Sequence, residues 1–207
     1  MRGNTRNRIL VASLLLFNEH GEPGTTTNDI ADEVDISPGN LHYHFPKKRE
    51  IVDALLDEFR ADARRILVTP DSVSLDDYWV FLHFLLELTA AYRFLFRDLE
   101  TLSETYPRVG RALGHFAKGL AATFEIYLRR LSTVGILEVE DREAPLLARN
   151  LAVIALFSQR FERLTGMSAS ADDEALRVAS SILTAMRPLA ARQSMALLEE
   201  LASRYEA

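Results

Sequence analysis

The chain has 207 residues, 48% of them hydrophobic and 26% charged, with a net charge of −6 and no cysteine. That balance suits a globular protein long enough to bury a core unaided. It excludes disulfides, thiolate metal sites and a cysteine nucleophile. The acidic total weighs against a uniformly basic nucleic-acid binder, but residues 1–49 hold six Lys/Arg and six Asp/Glu, so the whole surplus of acid lies beyond them.

The opening stretch carries basic residues and then an apolar run with helical spacing. It ends in Asn-Glu-His-Gly with no small-residue cleavage site, which predicts a helix rather than a signal peptide. This first helix, over about 5–20, places Ile9, Ser13, Leu16 and Phe17 on one face and stops at Gly21. After the turn GEPGT, Thr26 reads as an N-cap with Asp29 facing the free amides of a short second helix, 27–34, that buries Ile30 and Val34. Ser37 is the next N-cap, with Pro38 at the first position of a third helix, 38–45. Pro46 interrupts it, and Lys47 opens a fourth helix to about Leu67 with Ile51, Leu55 and Phe59 in a stripe.

Beyond the linker VTPDSVS, helices are predicted near 75–99 with a break around Thr89, then at 107–133, 142–165, 172–187 and 190–205. The most apolar run contains His83, Glu87 and Arg93, so it reads as a buried helix and not a membrane span. A cytoplasmic protein is the default. In 142–165, Leu147, Leu151, Ile154 and Phe161 mark one side, and Leu146, Val153, Phe157 and Leu164 an adjacent one. A face that wide needs a core or another subunit to cover it. The fold class is all-α throughout, since no alternating β pattern or hairpin dipeptide occurs.

Two short helices with a tight link, after a covering helix, make a helix-turn-helix. On a wheel of about 100° per residue, Leu41, Phe45 and Pro38 share the core side of the third helix. Gly39, Asn40, His42 and Tyr43 then form the outward face. Glycine admits close approach, Asn can bond a base edge, and Tyr and His can donate to phosphate. Lys48, in the first turn of the next helix, brings a cation to free amides and makes an anion site.

The stretch TTTNDIADEVDISPGNLHYHFPKKREIV resembles the DNA-binding signature of the tetracycline-repressor (TetR) family of bacterial transcription regulators. The likeness runs from about Ile9 to Leu55 and includes Thr26, Ile30-Ala31, Ser37, Gly39, Leu41, Tyr43, Phe45 and Lys48. Asp35 stands where that family usually has Gly, Asn40 and His42 replace Thr and Tyr, and Glu22-Pro23 replaces an aromatic. The resemblance implies a homodimeric repressor with a helix-turn-helix domain at 1–48 and a helical ligand-binding and dimerisation domain at 49–207. It implies a double-stranded DNA operator, release by a small-molecule effector, a dimer formed through the helices near 142–165 and 172–187, and no cofactor.

The DNA-binding set expected is Thr26, Ser37, Pro38, Gly39, Asn40, His42, Tyr43, His44, Lys47 and Lys48. Arg6 and Arg8 either touch DNA beside the first helix or face solvent. A metal between His42 and His44 is disfavoured, because positions i and i+2 diverge by about 200° on a helix. Trp79, Phe84, Arg93, Phe116, Phe124, Phe157 and Phe161 are the candidates to contact a ligand, although most such aromatics serve a core. An enzyme is the weaker alternative, since no hydrolase, zincin, P-loop or dinucleotide motif occurs. A helix-turn-helix protein acting through protein partners is the other.

Overall fold

The computed structural model describes residues 2–69, 73–167 and 171–203, and among these the regular elements are all helices. They are α1 (Arg2–His20), α2 (Thr27–Glu33), α3 (Pro38–His44), α4 (Lys48–Ile66), α5 (Leu75–Ala91), α6 (Arg93–Arg97), α7 (Leu99–Thr105), α8 (Pro107–Thr133), α9 (Ala144–Leu164), α10 (Ala171–Met186) and α11 (Met195–Ser203). Part of the expected 68–74 linker and residues 204–205 of the last expected helix lie outside the described residues.

Two sequence expectations are corrected. The 75–99 stretch does not break at Thr89, whose buried hydroxyl donates to the Leu85 and Leu86 carbonyls at 3.1 Å and sits comfortably in the helix. It breaks at Tyr92 and again at Asp98, giving α5, α6 and α7. The helix expected over 190–205 starts only at Met195, after single 3-10 turns at Arg187–Leu189 and Arg192–Ser194.

Packing sorts the chain into two compact units, residues 2–62 with 91–114, and residues 63–90 with those from 115 onward. Lys48 opens a continuous helix, and residues 91–114 pack with the N-terminal unit.

In the first unit, Ile9 and Phe17 of α1, Ile30 of α2, Leu41 of α3, Ile51, Leu55 and Phe59 of α4, and Phe94 and Leu95 of α6 are completely buried. Phe17 packs on Phe94 with ring centres 5.4 Å apart, and Phe59 meets the edge of Tyr92 at 5.5 Å. The end of α1 is held by a distant segment. Gly21 takes φ +85, as a helix-terminating glycine can. Arg97 donates to the carbonyls of Phe17 (2.9 Å) and Asn18 (3.0 Å), and Arg93 to Asn18 (3.1 Å). Two cations thus cap the negative end of the helix dipole.

Asp35 closes the link between α2 and α3 with φ 54, the one non-glycine residue with positive φ among those described. Its short polar side chain tolerates the left-handed region, which costs most L-residues roughly 1–2 kcal/mol. Asp35→Val is therefore expected to lower the unfolding free energy by about 1–2 kcal/mol, read as a shift of the urea midpoint, whereas Asp35→Gly leaves it within about 0.5 kcal/mol.

In the second unit, α5 and α8 share an aromatic core. Phe81 stacks on Tyr127 at 4.9 Å and meets the edge of Phe124 at 5.3 Å, while Tyr78 meets Tyr127 at 5.4 Å. Alanines 144, 148, 152 and 155 of α9 are buried, as are Val178, Ala179, Ile182, Leu183 and Met186 of α10. Small side chains let two helix axes approach closely. Toward the far end of this pair, Glu162 faces Arg177 at 3.6 Å and Arg163 faces Glu174 at 3.7 Å. No described helix is long and apolar enough to cross a membrane.

Candidate nucleic-acid interface

Helices of seven residues are marginal on their own, so α2 and α3 depend on their caps and on the core beneath them. At α2 the Thr26 hydroxyl accepts from the Asp29 amide (3.2 Å), and the Asp29 carboxylate accepts from the Thr26 amide (2.7 Å). This reciprocal pair is a capping box. The bond from the Thr26 backbone, then the one from its side chain, holds the Asp29 carboxyl below the usual carboxylate range. At α3 the Ser37 hydroxyl accepts from the Asn40 amide (3.2 Å), with Pro38 in the first turn. Thr26 and Ser37 thus start both helices while remaining exposed.

Leu41 and Phe45 anchor α3 in the core, and Gly39, Asn40, His42 and Tyr43 are exposed, as the wheel requires. Pro38 departs from it: placed beside Leu41 by angle, it is exposed, because the helix has only just begun there. Tyr43 is 64% exposed and meets His44 edge-on at 5.3 Å. His44 is half-buried. His42 Nδ1 lies 3.3 Å from the Pro46 carbonyl and closes the turn after the helix. A Cβ on Gly39 would meet nothing within 4 Å. The fold itself does not need glycine at this position, where it costs a helix about 0.5–1 kcal/mol relative to alanine.

The basic residues divide. Lys47 is exposed. Lys48 is engaged within the chain: its ammonium lies 2.8 Å from the Glu22 carboxylate and donates to the carbonyls of Glu22 (2.8 Å) and Thr25 (2.9 Å). An ammonium has three donors, and each has an acceptor here. Arg8 donates to the Val34 carbonyl at 2.6 Å, at the end of α2. Arg6 lies over the Phe45 ring at 4.9 Å. Both arginines brace the reading helices from α1.

Sequence reasoning missed Glu22 and Tyr106. Glu22 is buried, and its carboxylate accepts from the Tyr106 hydroxyl at 2.5 Å as well as facing Lys48. Burial, and next the bond to Glu22, raise the Tyr106 hydroxyl well above the ordinary phenol range. The signal was present: Glu22 occupies a position where the resembled family has an aromatic, and such a position points inward.

The residues expected at a ligand occupy separate settings. Phe124 is fully buried in the ring cluster and Phe116 is buried on α8. Trp79 stacks on His83 at 5.6 Å, and His83 pairs with Glu87 at 3.2 Å along α5, where Phe84 is 50% exposed. Arg93 is engaged with Asn18. Phe157 and Phe161 lie on an exposed stripe of α9 with Leu146, Val153 and Leu164. Among the described residues no cluster of His, Asp or Glu is arranged to hold a metal ion.

Two family models match the chain. That of the bacterial regulatory proteins of the tetR family covers residues 9–55, and that of a bacterial transcriptional repressor covers residues 58–198. A crystal structure of a TetR-family transcriptional regulator from Marinobacter aquaeolei VT8 superposes with a TM-score of 0.86 at 27% identity, over 97% of this chain and 98% of that one. The negative transcriptional regulator of the biofilm operon icaADBC, IcaR, from Staphylococcus epidermidis is 26% identical over 62% of this chain and 63% of its own length. The probable HTH-type transcriptional regulator YttP of Bacillus subtilis is 29% identical over 35% of each chain. The matched stretches therefore span about a third and somewhat under two thirds of those two curated relatives. With the capped helix-turn-helix and both family models in register along it, the chain belongs to the TetR family of bacterial transcriptional regulators.

Proposed function

We propose that this protein is a DNA-binding transcriptional repressor that works in the cytoplasm as a homodimer and is released from its operator by a small-molecule effector. One observation carries the reading: the outward face of α3 presents an open glycine, Gly39, between polar and aromatic neighbours, and the protein's own packing leaves that opening unused. In the reading, Asn40 and His42 meet base edges. Thr26, Ser37, Pro38, Tyr43, His44 and Lys47 lie along the backbone, where contacts fix register more than sequence. Half-sites are then spaced by about 34–36 Å, one helical turn.

The exposed stripe of α9 supports dimerisation through α9 and α10. That use takes Phe157 and Phe161 away from the expected ligand contacts and leaves Trp79 and Phe84 of α5 with Phe116 and Phe124 of α8 as the aromatic candidates for an apolar effector.

The test is a mobility shift on the DNA upstream of the protein's own gene. The expected result is a complex that survives competitor DNA, weakens steeply with salt, and is lost from an Asn40→Ala, Tyr43→Ala double variant that melts like the parent. Binding that is indifferent to salt, or unchanged in the double variant, would favour action through protein partners.

A further inference from the structure

Lys48 and Glu22 form a pair that the operator-binding reading does not use. The Glu22 side chain is 4% exposed and that of Lys48 is 25% exposed. Such a carboxylate is costly to bury unless it is paired and hydrogen-bonded, and here one oxygen accepts from the Tyr106 hydroxyl (2.5 Å) and lies 2.8 Å from the ammonium. The surroundings keep it there. Arg49 donates to the Thr105 carbonyl at 2.9 Å and lies over the Tyr106 ring at 5.3 Å, and Arg108 pairs with Asp53 of α4 at 3.0 Å. The cation at the start of α4, immediately after the reading helix, is thus already neutralised by a fixed internal anion.

We propose that Glu22 is a positioning residue that stands in for a DNA phosphate at Lys48, withholding this cation from the duplex and so moderating the protein's grip on DNA backbone. The inference rests on the operator-binding reading above. A lysine at this point would otherwise add one phosphate contact per subunit, a sequence-independent contribution to affinity. Glu22 removes that contribution without removing the lysine, whose ammonium instead ties the α1–α2 turn to α4.

Each phosphate contact contributes about 0.9 to the slope of log affinity against log salt. Glu22→Gln keeps an oxygen that can accept from Lys48 and Tyr106 and removes only the charge. In fluorescence anisotropy with an operator duplex between 50 and 200 mM KCl, Glu22→Gln is expected to steepen the dimer's slope by about 1.8, one contact from each subunit. Its affinity then falls about 12-fold more than the parent's over that range, and it binds more tightly at the low-salt end. Lys48→Met alone is expected to leave the parental slope unchanged, and in the double variant the effect of Glu22→Gln disappears. A Glu22→Gln slope equal to the parent's, or a Lys48→Met slope shallower by about 1.8, would overturn the proposal and return Lys48 to the phosphates, with the operator reading intact. Absence of specific binding by the parent would instead remove the operator reading, and the proposal with it. Should Glu22→Gln melt below the assay temperature, the Lys48→Met slope decides alone.

Discussion

Arginine at Val153 and Phe161 is expected to convert the dimer to a monomer that no longer holds a two-half-site operator. Leu146, Val153, Phe157 and Leu164 follow one another at intervals of seven, four and seven, with Phe161 one turn beyond Phe157, and these five side chains are 37–83% exposed on α9. Fully covering an aliphatic or phenyl side chain of this size contributes about 1.5–3 kcal/mol, and a two-fold interface uses each one twice. Two arginines per subunit would remove four such contributions and bring like charges together across the axis, at a cost of several kcal/mol. On DNA, the second half-site is engaged at an effective concentration set by the tether, so its loss lowers operator affinity by about 10²–10⁴-fold. Sedimentation equilibrium reads the first effect and anisotropy the second. A variant that remains dimeric would move the subunit interface away from α9.

Gly39→Leu is expected to separate stability from binding. Leucine is a strong helix former, and a Cβ at this position meets open space. The variant should therefore melt at or above the parental temperature, with a gain of about 0.5–1 kcal/mol. On DNA the added side chain stands between the backbone of α3 and the groove. Losing one good base contact per subunit costs about 1–3 kcal/mol, hence about 2–6 kcal/mol for a dimer, or at least tenfold in affinity. Parental affinity in Gly39→Leu would show that this face never meets a duplex.

The parts of the fold that were legible in the sequence are those fixed by short-range chemistry. Thr26 with Asp29, Ser37 with Pro38, and Gly21 marked helix ends to within a residue or so, because caps act over three or four positions. The wheel of α3 placed Leu41 and Phe45 inward correctly, since two anchors determine the rotation of a seven-residue helix. What escaped depends on partners distant in sequence. Lys48 looks like a free cation until Glu22 is brought beside it from 26 residues away, and Glu22 looks solvated until Tyr106 arrives from 84 residues away. The break at Tyr92 was hidden for a similar reason: hydropathy continues through it, and the turn there delivers Arg93 and Arg97 to the end of α1. The aromatic residues of the C-terminal body could not be sorted between core, surface and subunit contact, because periodicity shows which side chains share a face and not what lies opposite it.

The arginine capping of α1 bears on how such a regulator can be divided or recombined. A reading head cut from this chain at residue 48 and grafted onto another body would leave behind the guanidinium groups that hold its first helix closed, together with the phenol that steadies Glu22. A transplantable cassette would have to carry residues 91–114 as a second, discontinuous piece.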